Sequence, residues 1–164
     1  MPKAIGFLVS LAFVCVAAAP AGAQLVTDRN LSYAVAKTMA ETAMASCAAQ
    51  GIVVSIHVIN GAGETLVALR ADGARPYTFE NSYEKAYTAM AFGRPSAEMQ
   101  AEYAEGNPTR SQQADFPNIV MIAGGLPVIV NGEVVGGIGI SGGAGGTNDG
   151  CAQAGIDAVA AQLQ

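Results

Sequence analysis

The chain contains a single histidine, His57, so any imidazole chemistry, whether ligation of a metal or general base catalysis, falls to that one residue. It lies in the apolar run IVVSIHVIN (52–60), where it alternates with Ser55 and Ile59 on one face of a predicted strand. The plainer alternative is a half-buried histidine satisfied by local hydrogen bonds. Tyr83 and Tyr87 stand four residues apart in a helical pattern, and Tyr103 follows in the next one. A phenol can act as a ligand, but aromatic residues at that spacing also serve as packing. Lys85 lies between the two tyrosines with small neighbours around it, which suits a partly shielded ammonium able to pair with carboxylates. Its alternative is a solvated helix charge. Asp149 and Ser141 lie in or near a glycine-rich block that literally contains GxGxxG at Gly137, Gly139 and Gly142. Those glycines fall inside a predicted strand, no acidic ribose ligand follows, and Asp149 would repel a phosphate, so a dinucleotide site is excluded. Ser141 lacks the nucleophile-elbow pattern, and no HExxH, EF-hand or phosphate-loop pattern occurs.

These residues need elements to position them. Asn131-Gly132 between LPVIV (126–130) and EVVGGIGIS (133–141) is a strong two-residue hairpin signal, because a type I′ turn needs φ > 0 at both positions. NIVMIAGG (118–125) reads as a further strand. IVVSIHVIN and ETLVALR (64–70) form another hairpin around a glycine-bearing loop. Helices are predicted over Leu31–Gln50, capped by Ser32 or Asn30 and stopped by Gly51, and over Phe79–Phe92. In the second, Ser82, Ala86, Ala89 and Gly93 form a stripe of small residues suited to lying tightly on the sheet. A shorter helix follows over 96–105, and a last one over 149–164 with Asn148 or Asp149 as cap. The polar segment 106–117 reads as a loop and a candidate flap. Strands grouped in hairpins between helices indicate an α+β domain with an antiparallel sheet of about five strands and flanking helices.

The first 23 residues carry Lys3, the apolar run IGFLVSLAFVCVAAA and the small-residue pattern Ala21-Gly22-Ala23, the signature of a secretory signal peptide. Residues 24–164 are then one domain in a periplasmic or secreted protein, with no membrane anchor after cleavage. The formal charge of −5, made more acidic by loss of Lys3, argues against nucleic acid as a partner. Cys15 leaves with the signal, so Cys47 and Cys151 form one even pair in an oxidising compartment, which suggests a disulfide. Two reduced core thiols are the alternative. If the first and last helices pack antiparallel, the end of one, at Cys47, meets the start of the other, at Cys151.

Three stretches, taken together, resemble the GlcG/HbpS-like family, which is related to the C-terminal domain of PduO-type proteins. They are LVALRADGA (66–74), Lys85-Ala86-Tyr87-Thr88-Ala89 with Phe92, and the block GGLPVIVNGEVVGGIGISGG…DGCAQAG. The resemblance implies a profilin-like or PAS-like α+β fold that assembles into homo-oligomers. It also implies haem as the ligand, for storage, sensing or uptake, or another flat tetrapyrrole such as a corrinoid. Haem degradation or another small-molecule enzyme activity is the alternative, with no catalytic residue assigned beyond Lys85 or His57 as an acid–base group. Lys85 and Thr88 match the family's helix motif and become pocket candidates. His57 becomes the candidate iron ligand, with Tyr83 and Tyr87 as the other ligand candidates. Lys85, Arg75 and Arg94 become candidates for the propionates. The missing side chains at Gly137 and Gly139 are expected to leave room for a flat ligand. The chain departs from the family where its first strand ends in Ile56-His57-Val58-Ile59-Asn60: an asparagine replaces the usual carboxylate and an imidazole appears.

Overall fold

A computed structural model of the chain describes residues 29–163 together with Met1, so the predicted signal segment beyond Met1 lies outside the described residues. The element order is α1 (Tyr33–Ala49), β1 (Ser55–Asn60), β2 (Thr65–Arg70), α2 (Tyr77–Phe92), α3 (Ser96–Ala104), α4 (Pro108–Gln113), β3 (Gly125–Val130), β4 (Glu133–Ser141) and α5 (Gly145–Asp157), with a 3₁₀ turn at Ala160–Gln162. The four strands form one sheet in the order β2-β1-β4-β3, and every neighbouring pair is antiparallel. The fold is α+β as expected, with four strands among the described residues where about five were predicted.

NIVMIAGG is the missing strand. Its Val120 and Ala123 N–H groups bond to side chains instead of to a ladder, donating to Thr88 Oγ1 at 2.9 Å and Gln100 Oε1 at 2.8 Å. Only at its end does it join the sheet, where Gly124 O accepts from Ile140 N–H at 2.8 Å and Gly125, the first residue of β3, donates to Ser96 Oγ at 2.9 Å. Ser96 in turn donates to Ile122 O at 2.8 Å. Asn118, at φ 64°, turns the chain out of extended geometry just before it. The segment is therefore a strap laced onto α2 and α3.

The segment 106–117, expected to be a loop, holds the short helix α4, because Asn107 caps it by accepting from Thr109 and Arg110 N–H and Pro108 opens its first turn. Most other elements fall where local chemistry places them. Ser32 caps α1 by accepting from Val35 N–H at 3.3 Å, and Gly51 ends it at φ 70°. Asn131 and Gly132 both adopt positive φ, 53° and 83°, as the two-residue turn between β3 and β4 requires. The last helix starts earlier than expected. Asn148 does not cap it. Instead its side chain reaches back to bond both Gly143 N–H and Gly143 O, at 3.1 and 3.0 Å, and holds the glycine loop from inside the helix.

Helices cover the sheet on both faces, so all six residues of β1 are buried. On one face Ile56, Val58, Leu126, Val128, Ile138 and Ile140 pack under α1 and α5. Cys47 and Cys151 are joined there, with Cα atoms 5.6 Å apart and a sequence separation of 104. Gly155, near the end of α5, lies against Met39 of α1, which makes the two helices antiparallel. On the other face lies α2.

Candidate functional site

α2 lies over β4, β1 and β3. It reaches them because Gly125 of β3 and Gly137 and Gly139 of β4 leave that face bare beneath it. A Cβ on Gly139 would lie 2.1 Å from Ser82 O, one on Gly137 2.6 Å from Ala86 O, and one on Gly125 2.0 Å from Lys85 O. The gaps at Gly137 and Gly139 are thus filled by the backbone of α2, so these glycines position the helix rather than open a slot in the sheet. The stripe Ser82, Ala86, Ala89 is the helix's buried face, as predicted.

The two flanks of that stripe separate the candidate residues. On the flank toward β4 and β3, Lys85 is buried and donates from Nζ to Ile140 O at 3.2 Å. Burial pushes its ammonium down to about 8, an effect partly offset by Asp149. Burial likewise raises the Asp149 carboxyl, against the Gly124 N–H and Lys85. Thr88 is fully buried beneath the strap it holds. Neither residue faces open space.

The other flank faces β1 and β2. Here β2 is left largely uncovered by α2, and its residues are half-buried or exposed. Ala68 pairs with His57 and so shares its face of the sheet. Phe79, Tyr83 and Tyr87 of α2 form the wall above: the His57 ring lies edge-on to Phe79 with centroids 4.6 Å apart and to Tyr83 at 5.8 Å, and Tyr83 lies 5.9 Å from Tyr87. His57 itself is 5% exposed. Its Nδ1 lies 2.8 Å from Ser82 Oγ, which donates to Phe79 O at 2.7 Å. Burial lowers the imidazole to about 4, so it is neutral near pH 7. Nε2 has no hydrogen-bond partner among the described residues. Tyr83 is a poorer ligand than the imidazole. Its hydroxyl donates to Gly63 O at 3.2 Å, and burial together with Tyr87 raises it above the usual phenol range. Tyr87 packs its ring over Gly63.

The remaining candidates lie elsewhere. Tyr103 is exposed on α3. Arg94, at the far end of α2, is held by Glu98 at 2.8 Å and Glu102 at 2.6 Å. Arg75 lines a cavity of about 360 Å³ with Ile52, Val53 and Thr78, and neither His57 nor its aromatic neighbours line it. Asn60, the departure from the usual carboxylate, organises the β1–β2 turn by accepting from Ala62 N–H and Glu64 N–H at 3.0 and 2.9 Å. Sequence reasoning missed Ser82 and Phe79 as partners of His57. The signal was present, since both face one side of a helix that must cross the histidine's strand.

Fold and site together define a single-sheet α+β domain with a buried, neutral imidazole set against a row of aromatic rings on α2. The family described as "Haem degrading protein HbpS-like" matches residues 31–157, and the chain belongs to it. Among solved structures, a double mutant of Streptomyces reticuli HbpS shares 34% identity and a TM-score of 0.76, over 86% of this chain and 97% of that one. The Klebsiella pneumoniae protein ORFY shares 27% with a TM-score of 0.77, over 84% and 96%. A PduOC:heme complex, at 24% identity and a TM-score of 0.71 over 79% and 94%, shares the fold. An uncharacterised Citrobacter freundii 15.0 kDa protein is 34% identical over 70% of this chain and 81% of its own. Protein GlcG of Escherichia coli K12 is 35% identical over 54% of this chain and 63% of its own.

Proposed function

We propose that this chain is an exported haem-binding protein, with His57 contacting the iron and Phe79, Tyr83 and Tyr87 lying against the macrocycle. The observation that carries it is a neutral His57 whose Nε2 has no partner among the described residues, beside the aromatic rings of α2. Among the described residues, no group of three or more His, Cys, Asp or Glu could hold a bare metal ion. An iron bound here would have to bring its own ring of ligands, as haem or another flat tetrapyrrole does. Bound haem would supply the iron; the chain would supply the imidazole of His57 to hold it, the aromatic rings of α2 to lie against the macrocycle and, from Arg75, a cation for a carboxylate. Lys85 and Thr88 support the reading only by holding α2 and the strap in place.

β2, beside His57, is left largely uncovered by α2, whereas flat ligands are normally buried over most of their surface. A homo-oligomer, in which a second copy supplies the missing wall, meets that need. Export is supported by the signal-like residues 1–23 and by the Cys47–Cys151 bond, which persists in oxidising compartments. No helix among the described residues is long and apolar enough to cross a membrane.

Titrating the mature protein with haem tests the reading: a saturable Soret band that shifts in His57→Ala is expected, and its absence in the wild type refutes haem binding. Decay of that band with reductant and oxygen, faster than for free haem, would establish degradation, which the family description favours. N-terminal sequencing of the protein from periplasm or medium tests export, and light scattering with and without haem tests assembly.

A further inference from the structure

We propose that Ser82 is a positioning residue that fixes the tautomer of His57, keeping the proton on Nδ1 and the lone pair on Nε2. The inference rests on the haem reading only for its consequence; the tautomer itself follows from a count of protons. Ser82 has one hydroxyl hydrogen, and Phe79 O, a carbonyl, can only accept it, at 2.7 Å. Toward His57 the same oxygen is therefore an acceptor, and the 2.8 Å contact requires hydrogen on Nδ1. A neutral imidazole carries one ring hydrogen, so Nε2 holds the lone pair. The relay is built on rigid parts. Ser82 is fully buried on α2, its carbonyl lies where a Cβ on Gly139 would be, and the ring is held between Phe79 and Tyr83. Hydrogen bonding at the far nitrogen is how proteins orient a ligating histidine. The hydroxyl also raises the ring's donor strength by accepting from Nδ1–H. Without it, the hydrogen would be free to sit on Nε2, where it blocks coordination.

Two-bond ¹H–¹⁵N correlation spectra of the apo protein at pH 7 read the tautomer without any ligand. Hydrogen on Nδ1 is expected, and hydrogen on Nε2 in the wild type would overturn the inference. Ser82→Ala removes one buried oxygen, and Ser82→Thr retains the hydroxyl. A tautomer shift toward Nε2–H in the alanine variant, restored in the threonine variant, is expected, and an unchanged tautomer in folded Ser82→Ala would sink the assignment to Ser82. In haem titration, Ser82→Ala should bind about 10–100-fold more weakly with a moved Soret band. Haem bound by the wild type with a spectrum unchanged in His57→Ala would remove the ligand role while leaving haem binding intact. No haem bound by the wild type would refute the function instead, and the tautomer spectra would still decide the role of Ser82.

Discussion

The two faces of the sheet are built on opposite principles. Beneath α1 and α5 the strands present branched aliphatic residues, Ile56, Val58, Ile138 and Ile140, and the helices answer with alanines. Beneath α2 the same strands present Ser55, His57, Gly137, Gly139 and Ser141, and the helix backbone itself fills the layer. Alternation along β1 and β4 produces both faces from single strands. The first face gains stability from apolar burial and a covalent tie. The second brings a helix close enough for its side chains to hydrogen-bond to strand residues: Thr78 to Ser55 at 2.8 Å, Ser82 to His57 at 2.8 Å and Asn81 to Ser141 at 3.1 Å. A site that orients an imidazole belongs on the second face, because there buried polar side chains of the strands find partners on the helix above them.

The largest expected effect comes from breaking the first face. Replacing Cys47 and Cys151 together with alanine opens a cross-link spanning 104 residues. The chain-entropy estimate for such a loop is about 4–5 kcal/mol, and measured losses are commonly about 2–5 kcal/mol. Urea midpoints of the double variant test this, and thiol quantification of the unfolded, unreduced wild type should find no titratable thiol. Next comes Gly139→Ala on the second face. Its methyl would lie 2.1 Å from Ser82 O and 2.5 Å from Ala86 N, both backbone atoms that cannot move without shifting α2. Overpacking of this kind loses about 1–3 kcal/mol, and valine more. If the stability of Gly139→Ala matches the wild type, the tight seating of α2 is wrong.

The third effect is a pH dependence confined to the second face. Above pH 6.5 His57 is neutral whether the chain is folded or unfolded and contributes nothing. As pH falls from 6.5 to about 4, the unfolded chain takes up a proton that the folded protein does not, so stability is lost. The slope is at most about 1.4 kcal/mol per pH unit, lessened by solvent screening. His57→Gln should flatten the stability profile between those pH values, and an unchanged profile would show that the ring is not held neutral.

Much of this contrast was legible in the residues. The hairpin at Asn131-Gly132, the small stripe Ser82, Ala86, Ala89 and the pairing of Cys47 with Cys151 each follow from local chemistry or from parity. What the glycines do was not legible. A gap in a strand looks the same in sequence whether a ligand or a helix fills it, and only the register of β4 against α2 distinguishes the two. The strap was misread for a related reason. NIVMIAGG is as β-prone as a true strand, and its fate was decided by Thr88, Ser96 and Gln100, hydrogen-bonding side chains 23 to 32 residues away that no local pattern reveals. The split of candidates between the two flanks of α2 was available in principle from helical spacing. It needed the knowledge of which flank meets the sheet's uncovered edge.

The smallest expected effect concerns the strap and the segment that precedes it, where the second face meets solvent. The predicted flap at 106–117 contains α4, and it is fastened by charge. Glu102 accepts from Arg94 at 2.6 Å and from Arg110 at 2.5 Å, while the Arg110 guanidinium lies 5.6 Å from the Phe92 ring centre. The two arginines hold the Glu102 carboxyl below its usual range, with Arg94 the larger influence. The bond is therefore intact above the ordinary glutamate range and loosens only as pH falls through the lowered value. These groups are partly exposed, so salt screens them and the global stability change should be slight. Local opening is the sensitive measure. Glu102→Gln should speed amide exchange in 106–117 at low salt, and added salt should bring the wild type toward the variant, with the urea midpoint nearly unmoved. Exchange at Val120 and Ala123 should stay slow, because Thr88 and Gln100 hold those amides independently of the charges. If the whole span 106–123 loosened together in Glu102→Gln, the clamp and the strap would be one cooperative unit, and the separation drawn between charge-held and hydroxyl-held segments would fail.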